Sequence, residues 1–143
     1  MVNVVFLHDA EDRLQAAATW LSETSRSAGG IAVFVPDARQ VERLERLLWE
    51  YPPTGFTPHC RFENSLSNET AIVLCSEQPL QWPRATVLNL SDEMPEQLSG
   101  VEQLVEIVSQ DAPTRAAGRV RFRSYQDAGF VVAARKAGAD ARS

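Results

Sequence analysis

The chain has 143 residues, 44% of them hydrophobic and 23% charged, with a net charge of −5. This is the make-up of an ordinary globular protein, with room for a real core in a single expected domain spanning residues 1–143. No apolar run nears the ~20 residues of a membrane span, and the N-terminus lacks a signal peptide's basic start and cleavage site, so a cytoplasmic protein without membrane contact is expected.

Residues 2–8 (VNVVFLH) form a near-continuous run of strand formers, as in a strand covered on both faces. Residues 10–28 read as a helix with Leu14, Ala17, Ala18 and Leu21 on one stripe, stopped by Gly29-Gly30. Residues 31–35 (IAVFV) read as a second buried strand, which makes a βαβ unit and a parallel pair. Pro36-Asp37 opens the next helix: Asp37 suits an N-cap and Gln40 stands where it completes a capping box. Its apolar stripe is Val41, Leu44, Leu47, Leu48 and Tyr51. Trp49 falls roughly 140° from the centre of that stripe. It reads either as an interface anchor or as a ring covered by the next loop. That loop, YPPTGFTPH, is stiffened by prolines and holds Phe56 in a defined place.

Residues 61–69 are polar, residues 70–75 (TAIVLC) read as a third strand, 78–83 as a connector containing Trp82, and 85–90 (ATVLNL) as a fourth strand. Val101, Leu104, Val105 and Val108 repeat at i, i+3, i+4 and i+7, which predicts an amphipathic helix. Asp111-Ala112-Pro113 breaks it and starts a last helix over residues 114–130, closed by Gly129. Phe130 to Ala133 (FVVA) reads as a final strand, and a frayed tail is expected from Arg135 on. Alternating strands and helices predict a three-layer α/β/α sandwich, Rossmann-like, around a mainly parallel sheet.

The last helix carries the charge asymmetry. Residues 1–111 hold 7 basic and 17 acidic side chains, residues 112–143 hold 7 and 2. A basic end on an acidic body favours a local acidic partner and argues against direct binding of duplex DNA. At ~100° per residue, Arg115, Arg119, Phe122, Arg123 and Gln126 share one arc. Ala116, Ala117, Val120, Ser124 and Ala128 make the opposite arc, expected to pack on the sheet. Arg121 lies roughly 160° from Arg119 and is expected to matter little to binding. Three guanidinium groups around a ring suit an acidic peptide with a hydrophobic tip, or a nucleic-acid strand. A solvated basic face with Phe122 tucked against a neighbour fits equally.

Enzyme chemistry is not visible. There is no GxxxxGK[ST], GxGxxG or GxSxG, and Asp9, Glu11 and Asp12 would repel a phosphate at the end of the first strand. His8 and Asp9 resemble a base and its orienter but have no evident nucleophile. His59 and Cys60, read as loop residues, do not assemble the four ligands of a zinc site. Cys60 and Cys75 form no CxxC pair and read as buried thiols or strand residues. Neither cofactor nor metal is expected.

Two segments carry a family resemblance. RLERLLWEYPPTGFTPHC (residues 43–60), with its Leu-Trp, proline and Phe-x-Pro-His, and RVRFRSYQDAGF (119–130), with an aromatic amid basic residues and a closing Ala-Gly-Phe, resemble the bacterial DNA polymerase III chi subunit. The order of elements agrees along nearly the whole chain. The resemblance implies a non-enzymatic Rossmann-like subunit of the clamp-loader assembly. It implies two partners: the psi subunit, and the acidic C-terminal tail of single-stranded DNA-binding protein, which ends in Pro-Phe. Arg115, Arg119, Phe122 and Arg123, with Trp49 nearby, look like the tail site. Trp49 and Phe56 look like part of the surface used by psi, or by a helicase-like partner competing for it. The match departs at Phe122, often tyrosine in that family, and at Gln126, basic in some members. The alternative from a different class is a single-stranded nucleic-acid binder that stacks bases on Phe122.

Overall fold

The computed structural model describes residues 2–24, 29–50, 58–64 and 70–137. Its elements run β1 (Asn3–Ala10), α1 (Arg13–Thr24), β2 (Ile31–Phe34), α2 (Ala38–Glu50), β3 (His59–Arg61), β4 (Ile72–Cys75), β5 (Thr86–Asn89), β6 (Gln103–Ser109), α3 (Ala112–Asp127) and β7 (Val131–Lys136). Among the described residues the strands form one sheet in the order β3-β4-β2-β5-β6-β1-β7. Every pairing is parallel. Parallel neighbours need crossovers, and the helices that make them cover both faces, giving the expected Rossmann-like α/β/α sandwich.

The central strands are apolar on both sides because both sides are covered. On one face, Leu14, Ala17, Ala18 and Leu21 of α1 and Val41, Leu44 and Leu48 of α2 meet Ile31, Val33, Ile72, Leu74, Leu88, Val105 and Ile107. On the other, Tyr125 of α3 and Trp82 of the connector meet Val4, Phe6, Phe34, Val73, Val87 and Leu104. Leu44 and Leu48 are fully buried, and each such side chain stabilises the fold by roughly 1.5–3 kcal/mol. Trp82 packs edge-on against Phe34 at 6.0 Å, and its Nε1 donates to the Gln97 carbonyl at 3.0 Å. Asp37 caps α2 as expected, its Oδ1 accepting from the N–H groups of Arg39 (2.8 Å) and Gln40 (3.3 Å). Asp12 caps α1 through the Gln15 N–H at 3.0 Å, so that helix starts later than the expected residue 10. Residues 25–28 and Tyr51 lie outside the described residues.

One expected element is of the wrong kind. Val101, Leu104, Val105 and Val108 do not form an amphipathic helix; the segment is β6, between β5 and β1. Leu104, Val105, Ile107 and Val108 are all buried. A strand covered on both faces carries apolar residues at odd and even positions, and such a run also contains the i, i+3, i+4, i+7 set. Two smaller differences concern the sheet's edges. His59 and Cys60, expected in a loop, begin the short edge strand β3, and β7 continues through Arg135 and Lys136. Both cysteines are free thiols. Burial pushes the Cys75 thiol up to about 12, which leaves it unreactive. No helix among the described residues is long and apolar enough to cross a membrane.

Candidate functional site

α3 begins at Asp111, whose carboxylate accepts from the Thr114 N–H (3.3 Å) and hydroxyl (2.7 Å) and from the Ser109 hydroxyl. These bonds favour the charged form and hold the Asp111 carboxyl below its ordinary range. The chain leaves the helix through Gly129 at φ 90°, a conformation open to glycine.

The face that α3 turns to the sheet is not the expected one. Gly118, Arg121 and Tyr125 are buried, whereas Ala116 and Ala128 are exposed and Val120 is 68% exposed. The small apolar arc therefore faces solvent along much of its length, and Arg121, set roughly 160° from Arg119 and expected to matter little to binding, is only 3% exposed. The reason is Glu106 of β6, itself 0% exposed. Arg121 Nε donates to Glu106 Oε1 at 3.1 Å, and Nη2 lies 3.0 Å from the same oxygen. Tyr125 Oη (2.6 Å) and Asn89 Nδ2 (2.9 Å) donate to Glu106 Oε2. Burial raises the Glu106 carboxyl, against which Arg121, Tyr125 and Asn89 favour the charged form. With residues 101–108 read as a helix, this partner for Arg121 could not be seen.

Gly118 sets the depth of the helix. A Cβ there would stand 2.8 Å from Val108 Cγ2, so only glycine lets α3 come this close to β6. Phe122 is half-buried, its ring 5.1 Å from that of Phe6 and tilted by 57°.

With α3 seated this way, Arg115, Arg119 and Phe122 line a pocket of about 220 Å³ together with Phe6, His8 and Asp9. Val108, Gly118 and Ala134 complete its walls. Asp9 has φ 61°, and the β1–β6 register shifts between Leu7 and Ala10. His8 Nδ1 lies 2.8 Å from Asp9 Oδ2. This bond, together with the charges of Arg115 and Lys136, holds the Asp9 carboxyl below its ordinary range. The pocket thus has an aromatic floor and a guanidinium rim, and among the described residues its lining includes no serine, threonine or cysteine. A guanidinium rim over an aromatic floor can take a carboxylate beside an apolar group, and the Asp9 carboxylate already shares that lining. A wider groove of about 700 Å³ lies between α1 and the other face of β1 and β7, lined by Gln15, Thr19, Trp20 and Glu23. It has a rim of mixed charge and includes none of the α3 residues.

A family model described as "DNA polymerase III chi subunit, HolC" matches residues 1–133. The chain belongs to the DNA polymerase III chi subunit family. The chain is also similar to the DNA polymerase III subunit chi of Pseudomonas aeruginosa, at 26% identity over 122 residues, covering 85% of this chain and 84% of that protein. Family membership makes it an accessory subunit of the DNA polymerase III holoenzyme, in DNA replication.

In this chi family member the residues singled out in sequence fall into separate places. Arg115, Arg119 and Phe122 meet at the pocket, while Arg123 is exposed and does not line it. Trp49, expected near these residues, sits on α2 in the other helical layer and is 65% exposed. Phe56 lies outside the described residues. Sequence reasoning missed Phe6 and Gly118 as pocket residues. A glycine inside a helix is itself a sign of close packing, and Gly118 could have been found that way.

Proposed function

We propose that this chain is a non-catalytic link within the replication machinery. In this reading the α3 pocket receives the acidic C-terminal tail of single-stranded DNA-binding protein, and a second surface holds the psi subunit. The observation that carries it is the meeting of Arg115, Arg119 and Phe122 with Phe6 at one pocket. A tail ending in Pro-Phe offers aspartates, a ring and a terminal carboxylate. An arginine fork takes the carboxylate through two parallel hydrogen bonds, and the Phe6–Phe122 pair gives the ring a tilted aromatic contact. Arg123, next along the same flank, extends the positive field toward the aspartates. So short a peptide buries little area, and binding is weak to moderate and salt-sensitive.

The psi surface, or that of a helicase-like partner competing with psi, is assigned to Trp49 and Phe56. A large exposed aromatic off the core stripe of α2 supports it. Neither site calls for a cofactor or a metal. Stacking of nucleic-acid bases on Phe122 is disfavoured by the acidic body of the chain, with 7 basic against 17 acidic side chains over residues 1–111.

Fluorescence anisotropy of a labelled acidic peptide ending in Pro-Phe tests the reading, with single-stranded oligonucleotide as competitor. Saturable peptide binding that weakens as salt rises from about 50 to ~300 mM is expected, and the oligonucleotide should not displace it. Binding of oligonucleotide in place of peptide would replace this reading. Phe56→Ala should weaken psi binding by about 2 kcal/mol in calorimetry and leave peptide binding intact.

A further inference from the structure

We propose that the pocket continues into a strand-addition site: the outer edge of β7 takes up an extended acidic segment as an added strand. This rests on the tail reading above and extends it from side chains to the main chain.

β7 ends the sheet, and among the described residues no strand lies beyond it. Its inner side is paired with β1 in a parallel register: Val4 opposite Val132, Phe6 opposite Ala134 and His8 opposite Lys136. Past the end of that ladder the Ala137 N–H donates to the His8 carbonyl at 2.7 Å. Along a strand the amide and carbonyl of successive residues point to alternate sides. The main-chain groups of residues 131, 133, 135 and 137 therefore face β1. Those of Val132, Ala134 and Lys136 face outward.

Val132 and Ala134 share a sheet face with the pocket, while Lys136, at the strand's end, lines the wider groove. Side chains opposite each other in register point to the same side. Val4 and Phe6 belong to the core beneath α3, and Ala134 lines the pocket itself. A chain whose end group sits between Arg119 and Phe122 thus lies beside a row of outward amides and carbonyls. Among the described residues the side chains in the middle of β7 are small, Ala133 and Ala134.

Charge selects the occupant. Lys136 stands at the end of β7, and Arg115 and Arg119 stand above the pocket. An added acidic strand brings carboxylates to these cations. A second copy pairing β7 with β7 would bring its own Arg135-Lys136 to the seam, like charge against like. Peptides that add a strand gain affinity from main-chain hydrogen bonds and specificity from alternate side chains. The geometry here offers both on one side.

The test uses the full chain and a synthetic acidic peptide ending in Pro-Phe, methylated at one backbone nitrogen at a time. Strand addition predicts a period of two: methylation at alternate positions lowers affinity about tenfold, and at the positions between them has little effect. Amide exchange read by NMR should slow at Val132, Ala134 and Lys136 on saturation with the unmodified peptide. Tight binding with no alternation and unchanged β7 amides would overturn strand addition and leave the tail reading standing. Failure of the unmodified peptide to bind would overturn both. Slowing of the same amides with protein concentration alone would hand the edge to a second copy and overturn the proposal.

Discussion

Arg119 and Arg121 stand two positions apart on α3 and do different work. Arg121 is buried against Glu106, with its Nη1 donating to the Asp92 carbonyl at 3.2 Å. Its charge is cancelled where it sits, and its effect is to fix the rotation of the helix. Arg119 is exposed at the pocket rim, where its charge acts on whatever enters. The contrast teaches that an arginine on a helix is assigned by what lies across from it. Its place on a helical wheel does not decide the matter.

The sharpest way to break the contrast is Arg121→Ala. Removing one partner of a buried pair leaves Glu106 uncompensated, a loss of about 3–5 kcal/mol in urea unfolding. Peptide binding should fall as well, because the rotation that sets Arg119 and Phe122 at the pocket is no longer fixed. Replacing both partners with apolar residues, Glu106→Leu with Arg121→Met, should recover only part of that loss, because the buried Tyr125 hydroxyl then loses its acceptor. If Arg121→Ala keeps the wild-type midpoint, the pair does not anchor α3.

Next in size is Arg119→Glu. Tail affinity should drop by roughly 2–3 kcal/mol in anisotropy, since a fork to the carboxylate is lost and a repulsion gained. Stability should stay within about 0.5 kcal/mol, as for an exposed site. Arg119→Lys should fall between, because an ammonium cannot form two parallel bonds. Equal loss of stability in Arg119→Glu and Arg121→Ala would erase the distinction.

Gly118→Ala sharpens it. Alanine favours the helix by about 1 kcal/mol, but its Cβ meets Val108 at 2.8 Å. The helix should lift from β6, with tail affinity falling several-fold while thermal stability changes little, and Val108→Ala should restore binding. If Gly118→Ala binds as wild type, the depth of α3 does not shape the pocket.

The smallest effect is at the helix start. The Asp111 carboxyl is held below its ordinary range by Ser109 and Thr114. Its contribution is thus present above the unfolded-state value near pH 4 and is lost as pH falls through the lower folded value. Asp111→Asn should lower the melting temperature slightly at pH 7, and the gap from wild type should close below about pH 4. A gap that persists in acid would assign the cap to its shape and remove its charge from the account.

Much of this was legible in the sequence. β1, β2, β4 and β5 are short apolar runs with strand formers, and α2 and α3 announce themselves through Asp37 and Asp111. Trp49 was visible as an outlier because α2 has a clean stripe. β6 was hidden because its apolar residues satisfy a helical template as well as a doubly covered strand. Glu106 inside that run was the missed clue, since a carboxylate in a buried strand requires a cation from another element. The buried face of α3 was hidden because it is made of Gly118, Arg121 and Tyr125, while the neighbouring arc is richer in small apolar residues and looked the better packing face.

The position of β1 bears on how the protein is made. Its two neighbours, β6 and β7, pair with it at Gln103 to Ser109 and at Val131 to Lys136. During synthesis, β1 must therefore wait for the last third of the chain before either edge is covered. Until then Val4 and Phe6 are apolar residues on an unsheltered strand, a state open to chaperones and to wrong pairings. The pocket is completed last of all, when Phe122 arrives on Phe6 and Ala134 closes beside it. A nascent chain on the ribosome can hold α1 and β2 in place and still have no site to offer a partner.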